Sequence, residues 1–269
     1  MVTLALPRLI AVRGAGRRSM SMVERNVAAL RSAYWVVLVT GFLEPLLYLF
    51  SIGVGVGALV GDLPLPDGRL VPYAEFVAPA MLASAAMTGA LSETTFNFFG
   101  KMKWMRLYEG ILATPVRPIE IAVGELTWAM LRGGLYSAAF LAVMAGMGLT
   151  SVGRAVLAMP AALLVGFAFG GLGMAISTLM RSWHDFDLMF TAQFALFLFS
   201  GTFVPAEAYP PVLRWVVEVT PLYRSVDLIR GITTGSVGAT QLWDVLYLIV
   251  LFAVGVAVAG RRMDRILCR

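Results

Sequence analysis

The sequence predicts an all-α, polytopic membrane protein with six transmembrane helices. Three observations carry this reading. Apolar residues make up 59% of the 269 residues and charged residues 14%, against about 25% charged in a soluble domain. Six stretches reach the roughly 20 mostly apolar residues that a spanning helix needs: 33–60, 75–99, 121–149, 155–180, 187–204 and 241–260. Lysine and arginine are shared unequally between the two sets of segments that join them. A soluble enzyme, a disordered chain and a disulfide-stapled secreted domain are excluded, and the single Cys268 permits no intrachain disulfide. The formal charge of +5 reads as loops that set topology, so no nucleic-acid partner is expected.

Residues 1–32 precede any span and hold six arginines. Within them, 19–32 places Met22, Val23, Val27 and Leu30 at helical spacing, which predicts an amphipathic helix on the membrane surface. With the N-terminus inside, fifteen of the 21 basic residues fall on the inner side and five on the outer, with Arg132 in a span. Both termini are therefore expected in the cytoplasm. The domain plan is a cytoplasmic segment 1–32, a six-helix domain 33–260 and a basic tail 261–269. Segment 61–74 reads as a Pro/Gly turn region, and 100–120 as a charged cytoplasmic loop. Segment 205–240, punctuated by Pro205, Pro210, Pro211 and Pro221, is too polar to span and too apolar for an ordinary loop. It reads as re-entrant helices dipping into the outer leaflet, where neighbouring protein covers the backbone.

Motifs for chemistry are missing. There is no GxxxxGK[ST] phosphate loop, no HExxH, no GxSxG and no Cys/His cluster, so the chain is not expected to hydrolyse ATP, to bind a metal or to be an enzyme. The lone His184 reads as a polar turn residue. Charged residues inside spans are functional candidates by default. Glu44 and Arg132 each lie about eleven residues into a span, roughly 16 Å from the inner surface, and are expected to pair. Glu93 and Glu125 read as shallower. These groups either line a path for cargo or form satisfied ion pairs. Gly53, Gly55, Gly57 and Gly61, and Gly166, Gly170, Gly171 and Gly173, either let helices of one chain approach closely or form a dimer interface. The run 101–120 sets Trp104, Leu107, Tyr108, Ile111 and Leu112 at helical spacing before Thr114-Pro115. Such a helix docks in a partner's groove or lies on lipid.

Three stretches carry a family resemblance. EGILATPVRPIEIAVGEL (109–126), after span 2 and a basic loop, resembles the permease subunits of ABC-2 type ATP-binding-cassette exporters, in which a glutamate, an apolar stretch and a Thr-Pro mark the short coupling helix. FSGTFVPAEAYPPVLRWVVEVTPLYRSVDLIRGITTG (199–235) resembles the family signature between spans 5 and 6, with Pro205, Pro221, Leu222, Arg230 and Gly231 at the signature positions. LEPLLYLFSIGVGVG (43–57) is similar to the branch that exports nodulation-type lipo-oligosaccharides and to its multidrug relatives. The likeness runs from about residue 20 to 260.

The resemblance implies a permease subunit in the cytoplasmic membrane of a bacterium, paired with a second copy or a related permease. Separate ATPase subunits would carry ATP and Mg, leaving no cofactor in this chain. The surface helix 19–32 and the coupling segment would touch those ATPases, with Trp104, Leu107, Tyr108, Glu109, Ile111, Leu112, Thr114 and Pro115 as the coupling residues. Segment 205–231 would cap the exit. The cargo would be amphiphilic, lipid-linked or drug-like. Two other classes stand beside this reading. One is a proton-coupled secondary transporter with Glu44 and Glu93 as relays. The other is a membrane scaffold or intramembrane enzyme.

Overall fold

The computed structural model describes residues 20, 23–27, 43, 46–65, 68–114, 116, 118–180, 182 and 184–267. The first part of the expected first span, 33–42 with 44 and 45, lies outside them, but residues 46–50 are helical and lead into a π-helical stretch, Ser51–Val56, and α1 (Gly57–Val60). Gly61, at φ +75°, then turns the chain. Only glycine takes that conformation at little cost, so Gly61 serves a turn.

The turn region 61–74 contains a feature that the sequence did not show. Asp62–Pro64 (β1) and Leu70–Pro72 (β2) pair antiparallel, with Leu63 opposite Val71. Three-residue strands are too short to display an alternating pattern. Pro72 then opens α2 (Tyr73–Ser92).

The helix of α2 does not end at Ser92. It continues through π turns at Glu93–Asn97 and Gly100–Trp104, giving a 32-residue span, Tyr73–Trp104. Arg106, at φ +46°, breaks it and starts α3 (Leu107–Leu112). Next come α4 (Pro118–Gly146) and α5 (Val152–Ser177), the latter capped by the Ser151 hydroxyl, which accepts from the Arg154 amide at 3.3 Å. His184 opens α6 (His184–Leu198) rather than sitting in a turn. A 3₁₀ turn at Ala206–Ala208, α7 (Pro211–Val219), α8 (Pro221–Thr234) and α9 (Ala239–Leu267) complete the chain.

The protein is thus a helical, polytopic membrane protein with one small hairpin among the described residues. Among the described residues four helices are long and apolar enough to cross a membrane: 73–104, 120–146, 152–177 and 239–262. The expected span 187–204 is replaced by the fifteen-residue α6, which stops at Leu198 before a turn through Gly201 at φ +68°. At 1.5 Å per residue it is about 22 Å long, shorter than the roughly 30 Å hydrocarbon core.

Helix α5 is the hub, packed against α2, α4, α8 and α9. Its glycines explain why. A Cβ on Gly255 of α9 would lie 2.5 Å from the Gly171 carbonyl carbon. The two backbones therefore cross with no room for a side chain. Gly166 and Gly170 face Met130 and Leu126 of α4 in the same way. The span-4 glycines are used for close packing within one chain. Gly55, by contrast, faces open space.

Candidate functional site

Three polar or hollow regions run along the bundle, from the α3 end to the hairpin end. The first is a joint at the α3 end. Glu125 of α4 is 6% exposed and accepts from three donors: Lys101 Nζ at 2.6 Å, Arg25 Nη2 at 3.0 Å and Asn26 Nδ2 at 3.1 Å. A buried carboxylate would be costly alone, and here two cations and an amide offset that cost. The three donors come from two segments, Arg25 and Asn26 from the N-terminal helical residues 23–27 and Lys101 from the π turn Gly100–Trp104. Glu125 thus ties both to the base of α4.

Helix α3 hangs from this joint. Tyr108 is fully buried, its ring 5.2 Å from that of Phe98. Its hydroxyl lies close to Glu125 but has no hydrogen-bond partner among the described residues. Burial pushes the phenol well above its ordinary pKa, the Glu125 charge adds to this, and Arg25 opposes it. Tyr108, expected on a partner-facing stripe, therefore anchors α3 into its own bundle. Leu107 and Ile111 are half-buried beside it. Glu109 and Thr114 are exposed, and Thr114 donates to the Ile111 carbonyl at 2.6 Å. Trp104 is exposed over an aromatic cluster of Phe96, Phe99 and Phe186. Leu112 ends the helix, and Pro115 lies outside the described residues.

The second region is the intramembrane ion pair. Arg132 of α4 bonds Glu93; the expected pairing with Glu44 falls outside the described residues. Its Nε also donates to the Tyr136 hydroxyl at 3.0 Å, and Asn97 donates to the second Glu93 oxygen at 2.9 Å. Glu93, expected to be shallow, lies deep enough for this bond. Span 2 ends at Trp104 rather than 99, so Glu93 is eleven residues from its end, about 16 Å deep and level with Arg132.

Above this pair lies a cavity of about 640 Å³ between Tyr48, α2, α4 and α6. Ligand cavities are usually 300–1,000 Å³. Thr88, Ser92, Tyr136, Ser137 and Gln193 line the half nearer the ion pair, and Met81, Leu82, Phe140, Phe194 and Phe197 the half nearer the hairpin. No Asp, Glu, Lys or Arg is among its described lining residues. Gln193 donates to Thr88 at 2.8 Å, joining α6 to α2.

The third region is the hairpin end. Pro205 opens the 3₁₀ turn, and Pro221 opens α8 where the Thr220 hydroxyl accepts from the Tyr223 amide at 3.3 Å. Leu222 is fully buried. A Cβ on Gly231 would meet the Gln241 side chain at 2.7 Å, so this glycine lets α8 lie against α9. Arg230 is buried and reaches two other elements, described below. Sequence reasoning missed Asp244, fully buried on α9 and bonded to Arg224 at 3.3 Å. The spacing of Arg224 and Asp244 across two helices offers no sequence signal.

Comparison with known proteins decides the family. The family described as ABC-2 type transporter matches residues 19–234. The chain belongs to the ABC-2 type transporter family. Nodulation protein J of Rhizobium leguminosarum bv. trifolii is 34% identical over 247 residues, covering 90% of this chain and 92% of that protein. Nodulation protein J of R. leguminosarum bv. viciae is 32% identical, with 93% and 96% covered, and that of Rhizobium meliloti (strain 1021) is 33% identical, with 89% and 92% covered. This ABC-2 chain is therefore an integral membrane protein of transport and export, as its apolar helices require. Among its described residues no group of His, Cys, Asp and Glu is arranged to hold a metal ion.

Proposed function

We propose that the chain is the permease subunit of an ATP-driven exporter. It moves an amphiphilic, lipid-linked or drug-like cargo out across the cytoplasmic membrane of a bacterium. Two permeases, identical or related, form the path. Separate ATPase subunits hold ATP and Mg and dock at the α3 end. Six spans, with the short α6 as the fifth, cytoplasmic termini, a surface helix at 19–32 and re-entrant α7 and α8 complete this topology, supported by the fifteen-to-five division of basic residues.

One observation carries the reading: the segment 104–114, with α3 at its centre, is two-faced. Tyr108 is locked into the bundle, while Trp104, Glu109 and Thr114 are exposed. A push on the exposed side reaches Glu125 and the base of α4 with little slack, because Tyr108 and the Glu125 joint meet. A ligand on another chain then biases a two-state element in this one. The ion pair Arg132–Glu93 floors the uncharged cavity, which suits an amphiphile with a hydrogen-bonding, uncharged part.

Co-purification tests the docking. The ATPase subunits are expected to remain with the wild-type chain and to be lost from the Glu109→Arg variant, with the variant's thermal unfolding unchanged. Retention of the ATPase by Glu109→Arg at wild-type stoichiometry would remove α3 from the interface.

A further inference from the structure

Arg230 is unusual for a buried arginine. It lies on α8, is 7% exposed, and its donors go to neutral carbonyls: Nε to the Phe76 carbonyl at 3.1 Å and Nη2 to the Gly201 carbonyl at 2.9 Å. Its guanidinium also stacks 3.7 Å from the centre of the Phe76 ring. Among the described residues no carboxylate bonds it. A desolvated guanidinium is costly, so its position calls for an explanation. Phe76 is in the first turns of α2. Gly201 is in the turn after α6, where φ +68° and the Tyr223 ring, 3.2 Å from a would-be Cβ, both require glycine.

Helix α6 needs such a tie. Along its length it meets the bundle through the buried Phe186 and Met189, the Gln193–Thr88 bond midway and the partly buried Leu196 and Phe197, and no polar bond from α6 itself holds its hairpin end to another element among the described residues. Leu188, Phe190, Phe194 and Leu198 are exposed. The cavity lies between α6 and α2, and its rim at the hairpin end is Phe197, two residues before the turn that Arg230 holds. The guanidinium is a rigid fork, so both carbonyls are held together or released together.

We propose that Arg230 is the pin that keeps the α2–α6 cavity shut at its hairpin end, and that export requires its two carbonyl bonds to part. The assignment rests on the exporter reading for its purpose, but on the Arg230 contacts alone for the closure. Arg230 acts through Phe76 and Gly201 and is a positioning residue.

The test uses the full chain in complex with its ATPase subunits, in proteoliposomes. Cys268 is replaced by serine and Ser200, which is fully buried beside Gly201, by cysteine. A membrane-impermeant maleimide reports access to the turn. The parent is expected to label slowly without nucleotide and faster with ATP. With Arg230→Gln, labelling without nucleotide rises roughly tenfold or more, the factor matching one lost hydrogen bond to a charged group, and no longer responds to ATP. Arg230→Lys, a point charge that serves one carbonyl at a time, is intermediate. Phe76→Leu, which keeps both carbonyls and loses the ring, gives a few-fold rise and keeps the test usable if Arg230→Gln does not assemble. Labelling of Arg230→Gln and Phe76→Leu at the parent rate in assembled complexes overturns the pin. A parent rate indifferent to ATP, with Arg230→Gln still raised, leaves the pin and overturns the coupling to ATP.

Discussion

Removing the Glu125 carboxylate should damage both stability and coupling, by an amount the joint itself fixes. In Glu125→Ala, Lys101 and Arg25 keep their places beside a now apolar site and lose the acceptor they share. Lys101 is 19% exposed and Arg25 33%, so part of their desolvation is relieved by water. Breaking a buried ion pair by deleting one partner costs about 3–5 kcal/mol, and the exposure of Arg25 places this case at about 3 kcal/mol. For a chain of this size that is a fall of roughly 6–12 °C in Tm. Glu125→Gln keeps one acceptor oxygen and should lose less. The assay is thermal unfolding of the purified complex, together with its ATPase rate in proteoliposomes. If the joint transmits motion, Glu125→Gln should retain the ATPase subunits yet lose most cargo stimulation of ATP hydrolysis. A Glu125→Ala Tm within about 2 °C of wild type, or full stimulation in Glu125→Gln, would refute the reasoning.

Three further outcomes follow from the packing. Gly255→Ala should cost about 1–3 kcal/mol or more by overpacking against the Gly171 backbone, while Gly89→Ala, which faces open space, should be near neutral in the same unfolding assay. Arg132→Leu should sharply reduce the folded yield because Glu93 is left unpaired in the bundle, and Arg132→Leu with Glu93→Leu should restore much of it; a double variant no better than the single would count against the pair. Tyr108→Phe should unfold within about 1 kcal/mol of wild type, since the hydroxyl lacks a partner, whereas Tyr108→Ala should cost about 3–5 kcal/mol. The phenol's raised pKa has a sign: its contribution is fully present below about pH 10 and is lost as pH rises above that value, so an unfolding midpoint that falls between pH 7 and 9 because of Tyr108 would contradict its burial.

What the sequence made legible follows from length scales. Helices α4, α5 and α9 announce themselves because each is a long apolar run; the ends of α4 and α5 fall within three residues of those expected, while α9 continues seven residues past its expected end. The prolines from Pro205 to Pro221 punctuate the chain where the 3₁₀ turn, α7 and α8 begin. Features built across the fold were not legible. The Glu125 joint links residues about 100 positions apart. The Arg132 partner depended on π turns that carry span 2 on to Trp104, and no residue pattern signals them. Helical spacing set Leu107, Tyr108 and Ile111 on one stripe, but could not say that Tyr108 faces its own bundle. The hairpin at 62–72 rests on backbone pairing between strands too short for any pattern.

Transport through this chain is proposed to be driven by ATP on separate subunits. Its most direct measurement is cargo efflux into inverted proteoliposomes holding the chain with its ATPase partners, with a fluorescent single-chain amphiphile bearing an uncharged headgroup as probe. ATP-dependent accumulation is expected, abolished when the partner's ATP hydrolysis is disabled and unchanged by a protonophore. Accumulation that persists with a disabled ATPase and collapses with the protonophore would contradict it.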